Sequence, residues 1–471
     1  MRPISSNVSG MKDRRGKAIP FVGEYMKISG WSTIGALAAL CMAATSAHAQ
    51  QGTQPSEQDF SDLQSLFRIS VNVQAAPGVV FSDAYGLNIA NKSYNFMEPE
   101  QLRLRFGNRY NDVMAVSGLI DFRGLPIYGR YEANSSIFTI SIPALDDAGE
   151  SYQTRFSGQT RDASYRVFKD YLEEIDNEEA ERLVRLMLRQ LARTSPIDPL
   201  AGNPSSVQGS LVRASLDLSS GDSAIEQDAA SGGSNTAGDP WIVGANYGWG
   251  SSDGGRYEFK RIDGRVARSF RLGEGGRALL KIDLPVSYSE VNGARAATAQ
   301  FGVGVEVPVI ARRWSLEPRV GYGITASDQL GSLGHMVSTT IASRFVLGNV
   351  GRGRIVIGNM AGYTQTLSTG FTGYNVNPGL KNWVFRNGLA YDLPLKFRGL
   401  GRNTSMRASY TFTNYAGDEL YFDKFHEFGL SFGLRGREES ARNARDLIRL
   451  NLSLTKAQDY TAWSAGLGFR F

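Results

Sequence analysis

Ionisable side chains recur at alternate positions in the C-terminal half of the sequence, within segments whose other positions are apolar. In a strand, such a pattern puts the charges on one face and the apolar side chains on the other. Charges on an enclosed face must pair, keep water or meet a ligand. The pattern therefore allows a self-paired network that stiffens the fold or a narrow, slightly anion-favouring pore. The set comprises Lys281, Asp283, Glu306, Glu317, Arg319, Arg344, Arg386, Arg407, Glu427, Arg435, Arg449 and Arg470.

The histidines offer little for catalysis. His335 is predicted near an outer loop and His426 near the start of a strand, where Asp423 and Ser338 complete only a weak triad-like arrangement. No metal-ligand spacing, P-loop or Gly-x-Ser-x-Gly motif is present in the sequence. We therefore predict no enzyme, no catalytic or metal-binding residue and no cofactor. A barrel-rim hydrolase acting on envelope lipid or protein is the catalytic alternative.

Long strands are the elements that would position these side chains. In the last segment, Trp463, Ala465, Leu467, Phe469 and Phe471 alternate with small or charged residues. Similar segments of about 10–14 residues recur upstream, and they are longer than the usual strands of globular sheets. Strands that cross a bilayer at a tilt need about this length and carry aromatics at both ends of the apolar face.

Composition limits how the chain can meet a membrane. The mean hydropathy of -0.25 excludes a polytopic helical membrane protein, and 21% charged residues against 42% apolar ones exclude a wholly disordered chain. A closed barrel is then the remaining way to span a bilayer, and closure removes exposed strand edges. We predict an all-β transmembrane antiparallel β-barrel of about 12 strands over 241–471, with both of its ends in the periplasm. Ten or fourteen strands remain open.

The N-terminus carries an export signal. An apolar run, Ile34–Ala44, precedes the small-x-small sequence Ala47–Ala49, and the run is too short to span a bilayer. We predict a signal peptide over 1–49, with Met26 as the alternative start of translation. Its removal takes away Cys41, the single cysteine, so the mature chain has no disulfide and no thiolate metal ligand.

The leader also explains the basic character of the chain. The sequence pI is near 9.1, which is typical of partners such as nucleic acid. However, the leader contributes +4 of the formal net charge of +5, which leaves the mature chain near +1. We therefore predict that nucleic acid is not a partner.

The export signal, the strand pattern and the ending Gly466-Leu-Gly-Phe-Arg-Phe471 together resemble an autotransporter translocator barrel. The chain most resembles the solitary outer-membrane autotransporter-like β-barrel family, which lacks a large repetitive passenger. The resemblance implies a bacterial outer-membrane location and a lipid bilayer, the barrel assembly machinery and periplasmic chaperones as partners. It implies that the machinery reads an assembly signal in the last strand, formed by Trp463, Leu467, Phe469 and Phe471.

The same resemblance leads to an expectation about the function. It implies a structural or translocation role without a large passenger. A passive narrow pore for small solutes is the alternative that the charged positions support.

Residues 50–200 are predicted to form a periplasmic α+β region. Apolar residues recur at three- and four-residue steps over 163–194, which predicts an amphipathic helix with a polar turn at Asn177–Glu179. Its apolar stripe fits packing on the preceding region better than a role as a plug in a polar lumen. The predicted strands are Phe67–Val73, Val79–Ile89 and Ile137–Ile142.

Residues 201–240 are rich in Gly, Ser and Asn and are predicted to be a flexible linker. Within it, Ser210–Leu218 has the composition of an additional strand.

Cleavage after Ala49 predicts a mature protein that begins at Gln50. N-terminal sequencing of the envelope protein checks this. Replacing Ala49 with arginine should retain the leader, because the side chain is too large for the shallow pockets of signal peptidase. The matched change His48→Arg, at the unconstrained middle position, should leave cleavage intact. A wild-type envelope protein that keeps residues 1–49 would contradict the prediction.

Overall fold

The computed structural model describes residues 60, 63–143, 145, 151–173, 178–220, 241–272, 278–311, 313–371, 374–435 and 446–470. The predicted signal peptide, the second half of the predicted linker and terminal Phe471 lie outside these residues.

An N-terminal domain is built on a six-stranded antiparallel sheet of order β2-β1-β3-β4-β5-β6. The predicted strands near 67, 79 and 137 are present. The strands are β1 Phe67–Ala76, β2 Val79–Leu87, β3 Ala115–Phe122, β4 Leu125–Tyr131, β5 Phe138–Ile142 and β6 Tyr152–Phe156. Its helices are α1 Pro99–Phe106, α2 Arg161–Glu173 and α3 Glu178–Thr194, with short 3-10 turns at Ala90–Asn95 and Gly107–Arg109.

The predicted long helix is present as α2 and α3, and residues 174–177 between them lie outside the described part. The apolar stripe of α2 packs on the sheet through aromatic rings. Phe138 is fully buried, and its ring centroid lies 5.1 Å from that of Tyr165 and 5.2 Å from that of Phe168. Tyr165 and Phe168 are three residues apart, so they share one face of the helix. Neither helix is a plug in the barrel.

The C-terminal half is a closed antiparallel barrel of twelve strands, as predicted. Closure comes from pairing of the last strand with the first, along Tyr460–Arg470 and Ile242–Ser252. The strands are β7 Trp241–Ser252, β8 Tyr257–Leu272, β9 Ala278–Val291, β10 Ala294–Ile310, β11 Trp314–Ser327, β12 Ser332–Val350, β13 Gly353–Leu367, β16 Lys381–Gly399, β17 Arg402–Gly417, β18 Lys424–Arg435, β19 Asp446–Ala457 and β20 Tyr460–Arg470. A small hairpin, β14 Thr369–Phe371 and β15 Tyr374–Val376, stands apart from it.

The strand pleat separates two faces of the barrel wall. Trp463, Leu467 and Phe469 lie on the outer face and are 48%, 39% and 42% exposed, whereas charged side chains such as Asp283, Glu317 and Arg407 lie on the inner face and are buried. Period-two alternation produces this separation along every strand. Among the helices in the described part of the chain, none is both long and apolar enough to cross a membrane.

The N-terminal domain packs against one end of the barrel, which we call the domain end. The opposite end, which carries Trp241 and Arg470, is the basal end. Arg256 at the β7–β8 turn donates a 2.7 Å hydrogen bond to Asp121, and the backbone nitrogen of Ala90 donates to Gln329 in the β11–β12 turn at 3.0 Å. Both turns belong to the domain end, so the two ends of the barrel chain lie away from the domain.

The flexible linker predicted for 201–240 is wrong for its described part, residues 201–220. These residues enter the barrel, and Val207–Ser215 form a helix, α4, instead of the strand suggested for Ser210–Leu218. The side chain of Ser206 caps α4 by accepting from the backbone nitrogen of Gly209 at 3.2 Å. Small polar residues that are typical of a linker in water are here packed and hydrogen-bonded inside the barrel.

Replacing Phe138 with alanine should destabilise the N-terminal domain by about 3–5 kcal/mol, because a fully buried aromatic side chain leaves a cavity. Limited proteolysis of the full-length protein along a urea series measures this, while electrophoretic mobility before and after heating reports on the barrel. Val113, which is 57% exposed, provides the control Val113→Ala. Equal urea resistance of the two variants would contradict the assignment of Phe138 to the core.

Candidate functional site

The lumen of the barrel holds a network of buried ion pairs on strands β9 to β12. The Lys281 ammonium lies 2.6 Å from a Glu306 carboxylate oxygen and 2.8 Å from one of Glu317, and Arg344 reaches Glu317 at 2.7 Å. Arg319 pairs with Asp283 on the same wall. Unpaired charges in such a place would cost several kcal/mol each. This part of the network is self-paired, and it lies towards the basal end of the lumen.

Three further arginines on strands β16, β17 and β19 contact the chain that runs through the lumen. Arg386 donates to the carbonyl of Leu216 at 2.8 Å, and Arg407 donates to that of Leu218 at 2.6 Å. Arg449 lies 3.5 Å from the carbonyl of Ser219. The carbonyls that follow the end of a helix lack intrahelical donors, so these arginines satisfy groups that would otherwise be buried without partners.

The remaining predicted lumen positions are Glu427, Arg435 and Arg470. Glu427 accepts from Arg386 and lies 3.4 Å from Arg213 of α4, so it links the wall to the helix. Arg435 is the last residue of β18, where its backbone pairs with Asp446. Arg470 ends β20 at the basal end and pairs in register with Ile242.

Glycines on the lumen face make a seat for α4. A Cβ on Gly323 would lie 2.6 Å from Val207, and one on Gly321 would lie 2.9 Å from Leu211. On β13, two strands away, a Cβ on Gly358 would lie 2.8 Å from Leu218, which follows the end of α4. Contacts this short do not occur between real side chains, so the helix fits only because the wall carries no side chains there. The apolar face of α4 is thereby buried inside a polar lumen.

A polar cavity remains beside α4. It has a volume of about 260 Å³ and is lined by residues of strands β7 to β10 and β16 to β20. Arg213, Arg261, Asp263, Thr411 and Asn451 are among its lining residues. Hydroxyl, amide and charged groups around a space of this size favour several water molecules. The plug is therefore off-centre, packed on one wall and bordered by a polar space on the other.

A buried ion pair holds the chain where it turns into the lumen. Arg123 lies in the turn between β3 and β4 of the domain, and its guanidinium is 3.5 Å from the Asp198 carboxylate. Burial lowers the pKa of the Arg123 guanidinium and raises the pKa of the Asp198 carboxyl, and the attraction between the two charges opposes both changes. Asp198 also accepts from the backbone nitrogens of Leu200 and Ala201 at 2.9 and 3.2 Å. This carboxylate thus fixes the turn that leads to α4.

The weak triad-like arrangement suggested for the histidines is wrong in its geometry. Ser338 faces the lumen and is 2% exposed, whereas His335, three positions away on β12, faces outward and bonds Tyr322 at 2.8 Å. His426 bonds Tyr410 at 2.9 Å, and Asp423 pairs with a neighbouring lysine instead. An odd spacing along a strand places side chains on opposite faces, so they cannot meet. Within the described ranges, no group of three or more His, Cys, Asp or Glu side chains could hold a metal ion.

Sequence reasoning missed α4 and its glycine seat. The available signals were the N-cap Ser206, the four-residue step from Val207 to Leu211, and glycines at lumen positions of β11 and β13. None of these signals is specific without the barrel, because the helix is short and its partner wall is distant in sequence.

Replacing Gly323 with valine should displace α4, because the new Cβ would overlap Val207. The displacement should raise the conductance of the protein in planar bilayers and lower barrel stability by about 1–3 kcal/mol. Gly244 provides the matched control Gly244→Val, since its Cβ would meet no atom closer than 3.7 Å. Unchanged conductance and stability in Gly323→Val would show that α4 does not occupy this seat.

No protein-family model matches this sequence, and no curated protein matches it. Solved structures similar to the chain include the β domain of the Bordetella autotransporter BrkA, with 12% identity, a TM-score of 0.38, and coverage of 50% of this chain and 99% of that one. The translocator domain of the autotransporter NalP from Neisseria meningitidis has 14% identity, a TM-score of 0.37, and coverage of 52% and 92%. An outer-membrane channel from Pseudomonas putida F1 has 10% identity, a TM-score of 0.33, and coverage of 50% and 96%. The structures to which this chain is similar thus include autotransporter translocator barrels and outer-membrane channels.

Proposed function

We propose that the protein is an outer-membrane barrel of the autotransporter type whose translocation role is confined to its own small N-terminal domain. The domain is displayed at the cell surface, and the segment that joins it to the barrel stays in the lumen as a plug. The path of the chain carries this proposal. Residues 199–220 leave the domain, enter the barrel at the domain end and run towards the basal end, where β7 begins at Trp241.

Topology supports a surface position for the domain. An even number of strands puts both ends of the barrel chain on the same side of the membrane. A barrel inserted from the periplasm keeps those ends in the periplasm, so its domain end faces outward. The proposal therefore replaces the periplasmic location predicted for residues 50–200 with a location at the cell surface.

The contact between domain and barrel supports retention of the domain after translocation. Barrel residues Tyr257, Phe259, Phe422 and Tyr460 share one buried apolar cluster with the core of the domain. Ion pairs flank it, including the 2.5 Å contact between Arg189 and Asp418. An apolar interface reinforced by ion pairs resembles an obligate contact more than a transient one.

We propose the same assembly partners that the sequence predicts. Trp463, Leu467 and Phe469 form the outer face of β20, where the assembly machinery would meet the last strand. Lipid surrounds the same face. Periplasmic chaperones would hold the chain before insertion.

A passive narrow pore is the second candidate, and the polar cavity of about 260 Å³ beside α4 favours it. Small solutes would have to pass between the plug and the β7–β9 wall. The ion pairs of Lys281 and Arg319 lie across that route towards the basal end, so we rank this function second.

Cysteine labelling in intact cells tests the surface location. Leu104 on the domain is 71% exposed, and Leu400 at a basal turn is 88% exposed. In a Cys41→Ser background, Leu104→Cys should react with a membrane-impermeant maleimide. Leu400→Cys should react only after the outer membrane is permeabilised, because the bilayer separates the two ends of the barrel.

The two positions serve as controls for each other. Labelling of Leu400→Cys in intact cells, with protection of Leu104→Cys, would contradict the proposed orientation. Protection of both positions until permeabilisation would show that the domain is not exposed at the cell surface and would refute surface display.

A further inference from the structure

We infer that the basal end of the barrel binds anionic phospholipid through an exposed basic surface on three neighbouring hairpins. This surface, the basal collar, consists of Arg313, Arg352, Lys396 and Arg398. The inference goes beyond the proposed function, since it depends on the barrel spanning a membrane and not on where the N-terminal domain lies.

The hairpins of the collar carry cations and no carboxylates. Its hairpins join β10 to β11, β12 to β13 and β16 to β17, and the sequence contains no acidic residue over 307–315, 345–356 or 393–406. The four collar side chains are exposed, and no carboxylate in the described part of the chain pairs with them. Arg354 on the same side is excluded, because it pairs with Asp392 at 3.2 Å. A group of cations without carboxylates attracts an anionic partner.

The three collar hairpins differ in charge from the turns at the domain end. Turns at the domain end carry several carboxylates, among them Asp253, Asp328, Asp418, Glu419 and Asp459. Two of these, Asp418 and Glu419, pair with arginines of α3. The collar is therefore not a consequence of a generally basic barrel.

Strand length places the collar at the membrane surface. β12 and β16 have 19 residues each, whereas β7 has 12 and β20 has 11. The longer strands continue beyond the outward-facing aromatics Phe345 and Tyr391 towards the basal turns. Aromatic girdles mark the edge of the hydrocarbon layer in such barrels, so side chains just beyond them lie among lipid head groups.

Apolar side chains alternate with the cations on the same hairpins. Leu347, Val350, Phe397 and Leu400 are 57%, 53%, 61% and 88% exposed. Leu400 also adopts a φ of 50°, in a region that glycine and asparagine favour and that is unfavourable for a branched side chain. Apolar contact combined with Lys and Arg is the combination that binds an anionic lipid surface, through acyl chains and phosphates together.

Lipid retention tests the inference on the full-length protein. The protein is reconstituted in vesicles of equal parts phosphatidylglycerol and phosphatidylcholine and extracted in mild detergent, and the bound lipids are measured by mass spectrometry. We expect wild type to retain phosphatidylglycerol preferentially. In the variant R352Q/K396Q/R398Q, the ratio of retained phosphatidylglycerol to retained phosphatidylcholine should fall roughly fivefold for each cation removed. High salt should weaken the wild-type preference, because these charges are exposed to solvent.

The matched control is K260Q/R295Q/K456Q, which removes three exposed cations from the domain end. It should keep the wild-type preference. Electrophoretic mobility before and after heating verifies that each barrel is folded, and R398Q alone serves if the triple variant does not fold. Equal retention of the two lipids by wild type would overturn the inference. So would an equal loss in both triple variants, or capture of an acidic protein by the collar without any lipid preference.

Discussion

The closed ladder of backbone hydrogen bonds around the barrel is the constraint on which the rest of the structure depends. In hydrocarbon no water satisfies a peptide group, so every strand must have two neighbours, and β20 must pair with β7. Closure creates an outer face in contact with lipid and an enclosed interior. The interior must then be filled by polar side chains, by water or by another segment of the polypeptide. Period-two alternation follows from that requirement, because each strand has to present both faces at once.

The lumen is filled by two different devices. On one wall, glycines leave room for α4, and the apolar stripe of the helix covers the bare backbone. On the other side, Arg386 and Arg407 reach inward to the carbonyls of Leu216 and Leu218, where the helix has ended and its own donors are missing. A charged wall and an apolar helix are therefore compatible, because the charges meet backbone and carboxylates and do not meet the apolar stripe. The domain at the mouth follows from the same arrangement, since the plug leads directly into it.

Much of the barrel was predictable because its signals are local. Alternation between Trp463, Leu467 and Phe469 and their small or charged neighbours is visible in a single strand, and the strand count follows from repetition. The inward positions of Lys281, Glu317 and Arg344 follow from the same phase. The phase does not show which carboxylate pairs with which cation, because Lys281 and Glu317 lie on two different strands, one on each side of β10.

The sequence by itself determined the fold class, an approximate number of strands and which residues lie on the outer face of the barrel, because successive side chains of a strand point to opposite faces. Tertiary structure decided the rest. The segment around α4 has the composition of a linker and becomes a plug only when it is placed against Gly321 and Gly323, which lie more than a hundred residues away. The position of the domain depends likewise on contacts such as Asp121 with Arg256. Contacts between distant parts of a chain produce no periodic pattern in the sequence of either part, so they are seen only in the folded barrel.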